Sequence, residues 1–503
     1  MNAYSRILAA LAWLTLNHAQ AGDWPQWRFD ATRSASSNEA LPDKMGVLWY
    51  AKWPARIPAW ENPLNRDKMT FDRHLEPIVM GGRLLVALND TDRLTAKDAK
   101  TGKHLWSYYT DGPIRLPPAG WKDSVFVVSD DGFLHCVDAE SGKLKWKHRG
   151  GPSAHKTLGN RRVISMWPAR GGPVIRDGTV YFAASIWPFL GTFIYALNAE
   201  TGKVEWINDS TGSTYSMQPH GASAFGGVAP QGALVATEKM LLVPGGRSLP
   251  AAFDRRTGKL SWFYNSGIVG GKGVGGSFVN ANEEHLFVHT QKRGVHAFTL
   301  ADEKKVDLGF HGEPVLDGDS IYVGGGRSNE PYKKIVECIG PNPWKVDADA
   351  SGDLIRAGNR LYAAGEDSIT AIELPDKNAQ PRVTVLFRPK GVVRLLVASG
   401  QLFAVKSDGH LIAYGANPRV EGPIGYEAVS STAPLREIEY KATVSAVNSI
   451  FKHCDVDGYA IMFGLDEGLL HEILRQSRLH IVVVEQDSDS VARIRKKYLA
   501  TGH

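Results

Sequence analysis

From residue 76 to residue 415 the chain alternates short apolar runs with tight polar turns. One unit, apolar strand, turn, apolar strand, occurs eight times. It reads "EPIVMGGRLLVAL", "AGWKDSVFVVSD", "GPVIRDGTVYFAAS", "GALVATEKMLLVPGG", "SFVNANEEHLFVHT", "GEPVLDGDSIYVGGG", "GDLIRAGNRLYAAG" and "RLLVASGQLFAVKSD". A third apolar strand follows, as in "FLHCVD", "FIYALN", "GVHAFTL" and "SITAIEL". In the first four units a fourth strand is introduced by one phrase: "DAKTGKHLW", "DAESGKLKW", "NAETGKVEW" and "DRRTGKLSW", ending at Trp106, Trp146, Trp206 and Trp262. The last four units keep the third strand but blur that turn. Runs this short, bounded by Gly, Asp and Asn, predict strands.

The repeated phrase predicts a hairpin. Its Asx side chain can bond the turn backbone, and its Gly suits a left-handed position. Its Trp offers a wide face to the neighbouring unit. One such unit cannot bury its own faces, but a stacked series can. Four short strands per unit predict propeller blades. The eighth unit lacks its fourth strand near "YGANP". The earlier "KMGVLWYAKW", with Trp49 in the role of Trp146, is expected to supply it and close the ring without an open edge.

Composition narrows the class. At 503 residues the chain exceeds one ordinary core, and 43% apolar with 22% charged residues is globular. A net charge of +5 is too weak to argue for nucleic acid. Cys136, Cys338 and Cys454 are far apart and odd in number, which predicts neither a disulfide framework nor a zinc site. Residues 1–21 combine "MNAYSR", the apolar "ILAALAWLTL" and the small-residue "AQA", a secretory leader too short to span a membrane. No later run is long and apolar enough to cross a bilayer. The expected location is periplasmic or secreted.

The phrase A-x-D-x-x-T-G-K-x-x-W, matched at 98–106, 138–146, 198–206 and 254–262, resembles the pyrroloquinoline-quinone repeat. Eight-bladed quinoprotein alcohol dehydrogenases carry it, as do non-enzymatic propellers related to the bacterial outer-membrane assembly lipoprotein. The resemblance implies an all-β eight-bladed propeller over residues 22–417. In the dehydrogenases it would also imply pyrroloquinoline quinone with calcium, a ring of adjacent cysteines and an Asp base. This chain has no adjacent cysteine pair, and no calcium ligand set can be matched. Nor does a cysteine follow the leader, as the assembly lipoproteins would require.

Two insertions offer candidate ligand contacts. Residues 143–176 hold nine Lys or Arg and no acid. Among them Arg149, Arg161, Arg162 and Arg170, with His155, could attract an acidic glycan or an acidic envelope protein. The glycine-, hydroxyl- and aromatic-rich loop 208–232 adds His220.

The pattern changes after Pro418. Residues 418–438 read as a linker. Residues 439–503 read as helix, strand, helix, strand, helix, a small Rossmann-like α/β segment. It resembles the opening of a class I S-adenosylmethionine methyltransferase. The resemblance implies cofactor contacts at Gly464 and Gly468, and a ribose-binding acid at Glu485. Asp466 stands where that family's middle glycine would be, and only two strands are present, so the segment reads as truncated. Together these features lead to the expectation of an exported, non-catalytic binding or scaffold propeller of the cell envelope. A quinone-dependent dehydrogenase and a methyltransferase acting through the tail are the alternatives.

Overall fold

The computed structural model describes residues 22–54, 56–59, 71–160, 162–217, 222–245, 249–263, 278–290, 294–302, 304–376, 379–418, 422–427, 435 and 441–499. The leader residues lie outside this set. The chain divides into two compact units, one of residues 1–160 and 164–426, the other of residues 161–163 and 427–503.

The first unit is an eight-bladed β-propeller. Blade 1 pairs Ile78–Met80, Arg83–Leu88, Arg93–Asp98 and His104–Tyr109 in order from the axis outward. Blades 2 to 7 repeat this antiparallel order across residues 119–149, 171–208, 235–262, 279–310, 315–347 and 353–387. Blade 8 takes Val392–Ala398, Gln401–Lys406 and His410–Gly415 from the end of the array. Its next strand is Gly46–Lys52, antiparallel to His410–Gly415 with Trp49 opposite Ala413. The ring closes where the missing fourth strand predicted. A fifth strand, Ile424–Glu427, borders Gly46–Lys52, so residues expected to begin a linker extend blade 8.

The repeated phrase explains how blades join. Asp98 Oδ1 accepts from the Thr101 amide and hydroxyl, both at 2.7 Å, and Asp138, Asn198 and Asp254 hold Ser141, Thr201 and Thr257 in the same way. The glycine that follows is left-handed each time, with φ of +74°, +72°, +70° and +69° at Gly102, Gly142, Gly202 and Gly258. It must also be bare for a second reason. A Cβ there would lie 2.6, 2.6, 2.7 and 2.4 Å from Trp49, Trp106, Trp146 and Trp206, the tryptophans of the preceding blades. Each indole then donates across the seam: Trp49 to the Ala99 carbonyl, Trp106 to Ala139, Trp146 to Glu200, Trp206 to Arg255 and Trp262 to Leu300, at 3.0–3.2 Å. Between seams the middle strands bury their apolar faces, as with Phe126 and Phe182 against Cys136 and Leu134. A buried side chain of that size stabilises by about 1.5–3 kcal/mol.

At the axis, residues 22–39 form a collar that meets all eight blades in turn. Gly22 accepts from Ser399 of blade 8, and Trp24 pairs with Val79 of blade 1. Pro25 accepts from Gly120 of blade 2, and the Gln26 amide bonds both backbone groups of Ile175 in blade 3. Ala31, Thr32, Ser34 and Ala35 accept from Ala236, Ala281, Leu316 and Arg356 of blades 4 to 7. Glu39 returns to Gly400 of blade 8. Asp30 holds the turn by accepting from Thr32 and Ser34. Arg28, Phe29, Arg33 and Ala35 all sit at positive φ, from 50° to 82°. Each costs on the order of 1 kcal/mol, sustained by the surrounding contacts.

The second unit has helices α1 (Lys441–Ile450), α2 (Glu467–Gln476) and α3 (Ser488–Leu499). Its strands Asp457–Phe463 and Arg478–Val484 run parallel, in register from Asp457–Arg478 to Phe463–Val484. The order of elements is the one read from sequence.

Candidate functional site

The described residues expected to bind a ligand sit in different settings. Arg149 is exposed and donates to the Gly151 carbonyl, and His155 is exposed. Arg162 is half-buried at the start of the strand Arg162–Ser165. Arg161 and His220 lie outside the described residues. Arg170 is fully buried, and both its Nε and Nη2 bond Asp130 at 2.9 Å. Arg115 grips Asp130 at 2.6 Å and Asp72 at 2.8 Å. Burial would raise Asp130, but Arg170 and Arg115 outweigh it and hold the carboxyl down at about 2. Arg170 therefore ties blades 2 and 3 together inside the protein instead of facing a ligand.

In the tail, Gly464 is left-handed at +77° with open space where a Cβ would go. Gly468 lies within α2, which Asp466 caps by accepting from the Leu469 amide. Glu485 is committed to its own turn. One carboxylate oxygen accepts from Leu465, the other from Gln486 and Asp487, and these amides hold its pKa below the ordinary value. That leaves the acid poorly disposed toward a ribose, so the cofactor contacts implied for S-adenosylmethionine do not fit this turn.

A different cluster converges on the propeller axis. Four of its members lie at or near the start of inner strands: Glu76 before blade 1, Glu313 before blade 6, Asp353 first in blade 7 and Arg394 third in blade 8. The collar supplies Arg28 and Trp27. Arg28 Nη1 reaches Glu313 and Asp353, each at 3.0 Å, and its Nη2 donates to the Pro314 carbonyl. Arg394 Nε reaches Glu76 at 2.8 Å and its Nη2 reaches Glu313 at 3.2 Å. The Trp27 indole donates to the other oxygen of Glu76 at 3.0 Å, and its ring lies 5.9 Å from the Arg394 guanidinium. Arg28 and Asp353 are 3% and 2% exposed, whereas Glu76, Arg394 and Glu313 keep 13%, 18% and 20%.

Three carboxyls here bond two guanidiniums, and Arg56 and Arg73 add positive charge close by. Burial pushes Glu76 up to about 7, against the pull of Arg394. Burial also raises Asp353 over the pull of Arg28 and Arg394, while at Glu313 those arginines outweigh burial and lower the carboxyl. Burial, then Arg394, Arg73 and Arg56, push His74 down to about 4, which leaves it neutral at pH 7. The arrangement can accept and release one proton near neutrality in a water-poor setting, as general acid–base chemistry requires.

Sequence reasoning missed this cluster, though a signal was present. In "EPIVM", "GEPVLD" and "GDLIRAG" an acid stands at the start of an apolar inner strand, and in "VVRLLVAS" an arginine stands third. A charge at the axial end of an apolar strand needs a partner from another blade.

The calcium and quinone implied by the family resemblance do not fit the network as built. Hard carboxylate oxygens suit calcium. Here, however, both oxygens of Glu76, Glu313 and Asp353 are already committed. Guanidinium, indole or the amides of Leu354 and Leu395 hold them. Among the described residues, no group of three His, Cys, Asp or Glu side chains is placed to hold a metal ion. The cavity bounded by Trp24, Trp27, Arg28, Glu76 and Arg394 has about 10 Å³, enough for about one water and not for a planar ring.

Comparison with known proteins sharpens this picture. The dehydrogenase subunit of a quinone alcohol dehydrogenase from Gluconobacter oxydans (strain 621H) is 31% identical over 207 residues, 38% of this chain and 25% of that protein. The corresponding subunit from Gluconacetobacter polyoxogenes is 32% identical over 145 residues, 26% of this chain and 19% of that protein. The chain thus matches about a quarter or less of these relatives' length. The quinohemoprotein alcohol dehydrogenase from Comamonas testosteroni superposes with a TM-score of 0.52 at 15% identity, covering 88% of this chain and 86% of that one, which shows a shared fold. The expectation of a non-catalytic envelope scaffold is corrected here, because the first four matched relatives are dehydrogenase subunits of quinone alcohol dehydrogenases. The expected methyltransferase resemblance of the tail gains no support from these matches. The profile of the family described as outer membrane protein assembly factor BamB matches residues 42–165 and 117–339, more than half of the chain, and the chain belongs to that family of PQQ-repeat propellers.

Proposed function

We propose that the protein is a dehydrogenase-like oxidoreductase of the quinoprotein alcohol dehydrogenase type, with its reactive centre at the mouth of the propeller axis. The observation that carries this reading is Glu76, a buried carboxyl shifted to about 7 by its burial and fixed by Trp27 and Arg394. Alcohol oxidation releases a hydride and a proton. None of the side chains of the network can be reduced, so the hydride passes to an added two-electron dye acceptor. Glu76 is the group on the axis suited to take the proton at neutral pH. Arg394 and Trp27 position that carboxyl. The local similarity to alcohol dehydrogenase subunits supports the reaction class, and the leader-like residues 1–21 support action outside the cytoplasm.

The test is oxidation of primary alcohols coupled to reduction of a two-electron dye acceptor, run with and without added pyrroloquinoline quinone. Turnover is expected to rise with pH through about 7, and Glu76→Gln should lower kcat by about 100-fold or more. Absence of turnover under both conditions would remove the reading.

A further inference from the structure

We propose that the axial carboxyls of this chain are held by guanidinium in place of a divalent cation, so that the centre of the propeller needs no metal. The inference deepens the dehydrogenase reading by fixing its cation requirement, and it stands on geometry. Three carboxylates from blades 1, 6 and 7 converge within bonding reach of Arg28 and Arg394. Hard carboxylate oxygens suit a divalent cation, yet these three acids are not placed to share one. Here Arg394 spans Glu76 and Glu313, while Arg28 spans Glu313 and Asp353. Two planar cations thus thread the three acids into one chain of bonds.

The remaining donors are equally local. Trp27 closes Glu76, and the Leu354 and Leu395 amides close Asp353. A cation entering this site would have to expel a guanidinium from a water-poor pocket and leave that charge unpaired. Arg28 cannot swing aside easily. It is 3% exposed, its Nη2 is fixed to the Pro314 carbonyl, and its backbone sits at φ +50° within the collar. Arg394 is also braced, lying beside the Trp27 ring with Nη1 on the Val393 carbonyl.

Terbium(III) titration, read through luminescence sensitised by the axial Trp24 and Trp27, tests this directly. The wild-type protein should show no saturable emission that calcium competes away. Arg394→Met removes the bridging cation while keeping similar bulk, and should create such a site, at least tenfold tighter than any wild-type signal. Adding Glu313→Gln to that variant should abolish the gain. If Arg394→Met does not fold, calcium content after gel filtration of wild type decides, and less than one calcium per ten chains is expected.

One calcium retained per wild-type chain, or wild-type terbium emission weakened tenfold by Glu313→Gln or Asp353→Asn, would overturn the proposal. A folded Arg394→Met variant that gains no affinity would also count against it. Repeating the dye-linked assay with a chelator separates the two readings. Activity that survives chelation supports both. Activity lost to chelator and restored by calcium overturns this inference and keeps the dehydrogenase reading. No activity under any condition removes that reading and leaves the luminescence to decide this one.

Discussion

The seams between blades and the axis of the propeller solve the same problem by opposite means. At each seam, one blade's tryptophan lies on the next blade's bare, left-handed glycine and donates to a carbonyl beyond it. The device is local, nearly neutral in charge and copied from blade to blade. At the axis, five charged groups drawn from positions 28, 76, 313, 353 and 394 form one network that occurs once. Repeated residues therefore hold the fold together, and single-use residues form the titratable axial network on which the proposed chemistry rests. That division explains why the repeat phrase is a poor guide to activity.

The comparison can be broken most severely at the axis. Arg28→Ala would leave Glu313 and Asp353 short of a counter-charge in a buried site. A loss of about 3–5 kcal/mol is expected, read from the denaturant midpoint. Glu76→Gln sharpens the same point through pH. Glu76 is raised from 4.5 to about 7, so the folded chain keeps a proton that the unfolded chain has lost between those values. Its contribution is complete below the unfolded value and disappears as pH rises through about 7. The wild type should therefore lose on the order of 2–3 kcal/mol relative to Glu76→Gln between pH 4.5 and 7, as paired denaturation curves would record.

At the seams the effects are smaller and separable. Gly202 and Gly400 share φ +70°, but a Cβ at Gly202 would meet Trp146 at 2.7 Å, whereas one at Gly400 meets nothing within 4 Å. Gly202→Ala should cost about 3 kcal/mol and Gly400→Ala about 1 kcal/mol. Equal losses would mean that backbone conformation, not the tryptophan, demands the glycine. The smallest effect is expected for Trp106→Phe, which keeps a ring on Gly142 but removes the donor to Ala139. Thermal unfolding should report about 1–2 kcal/mol.

The propeller was legible because its rules are written many times. Four copies of the hairpin phrase, and a missing last strand supplied by Trp49's segment, fixed both blade number and closure. Blades 5 to 8 lost the phrase but kept the apolar strand rhythm, which is what burial between blades enforces. The collar was not legible. Its bonds are largely backbone carbonyls of Ala31, Thr32, Ser34 and Ala35, and no side-chain pattern encodes them. Nor was the axial network, because its partners lie up to hundreds of positions apart and meet only once the ring has closed. Arg170 was misread for a related reason: net charge along a stretch does not show that it faces Asp130 inside the protein. In the tail, Glu485 has the expected spacing from Gly464, but spacing alone did not reveal that its own turn amides occupy it.

The central claim is that one axial carboxyl, on Glu76, binds and releases a proton near neutral pH. Infrared difference spectra across a pH titration measure it most directly. A protonated-carboxyl band that fades between about pH 6 and 8 in the wild type, and is missing from Glu76→Gln, is predicted. A wild type with no such band at pH 6, or a band that persists unchanged in Glu76→Gln, would contradict it.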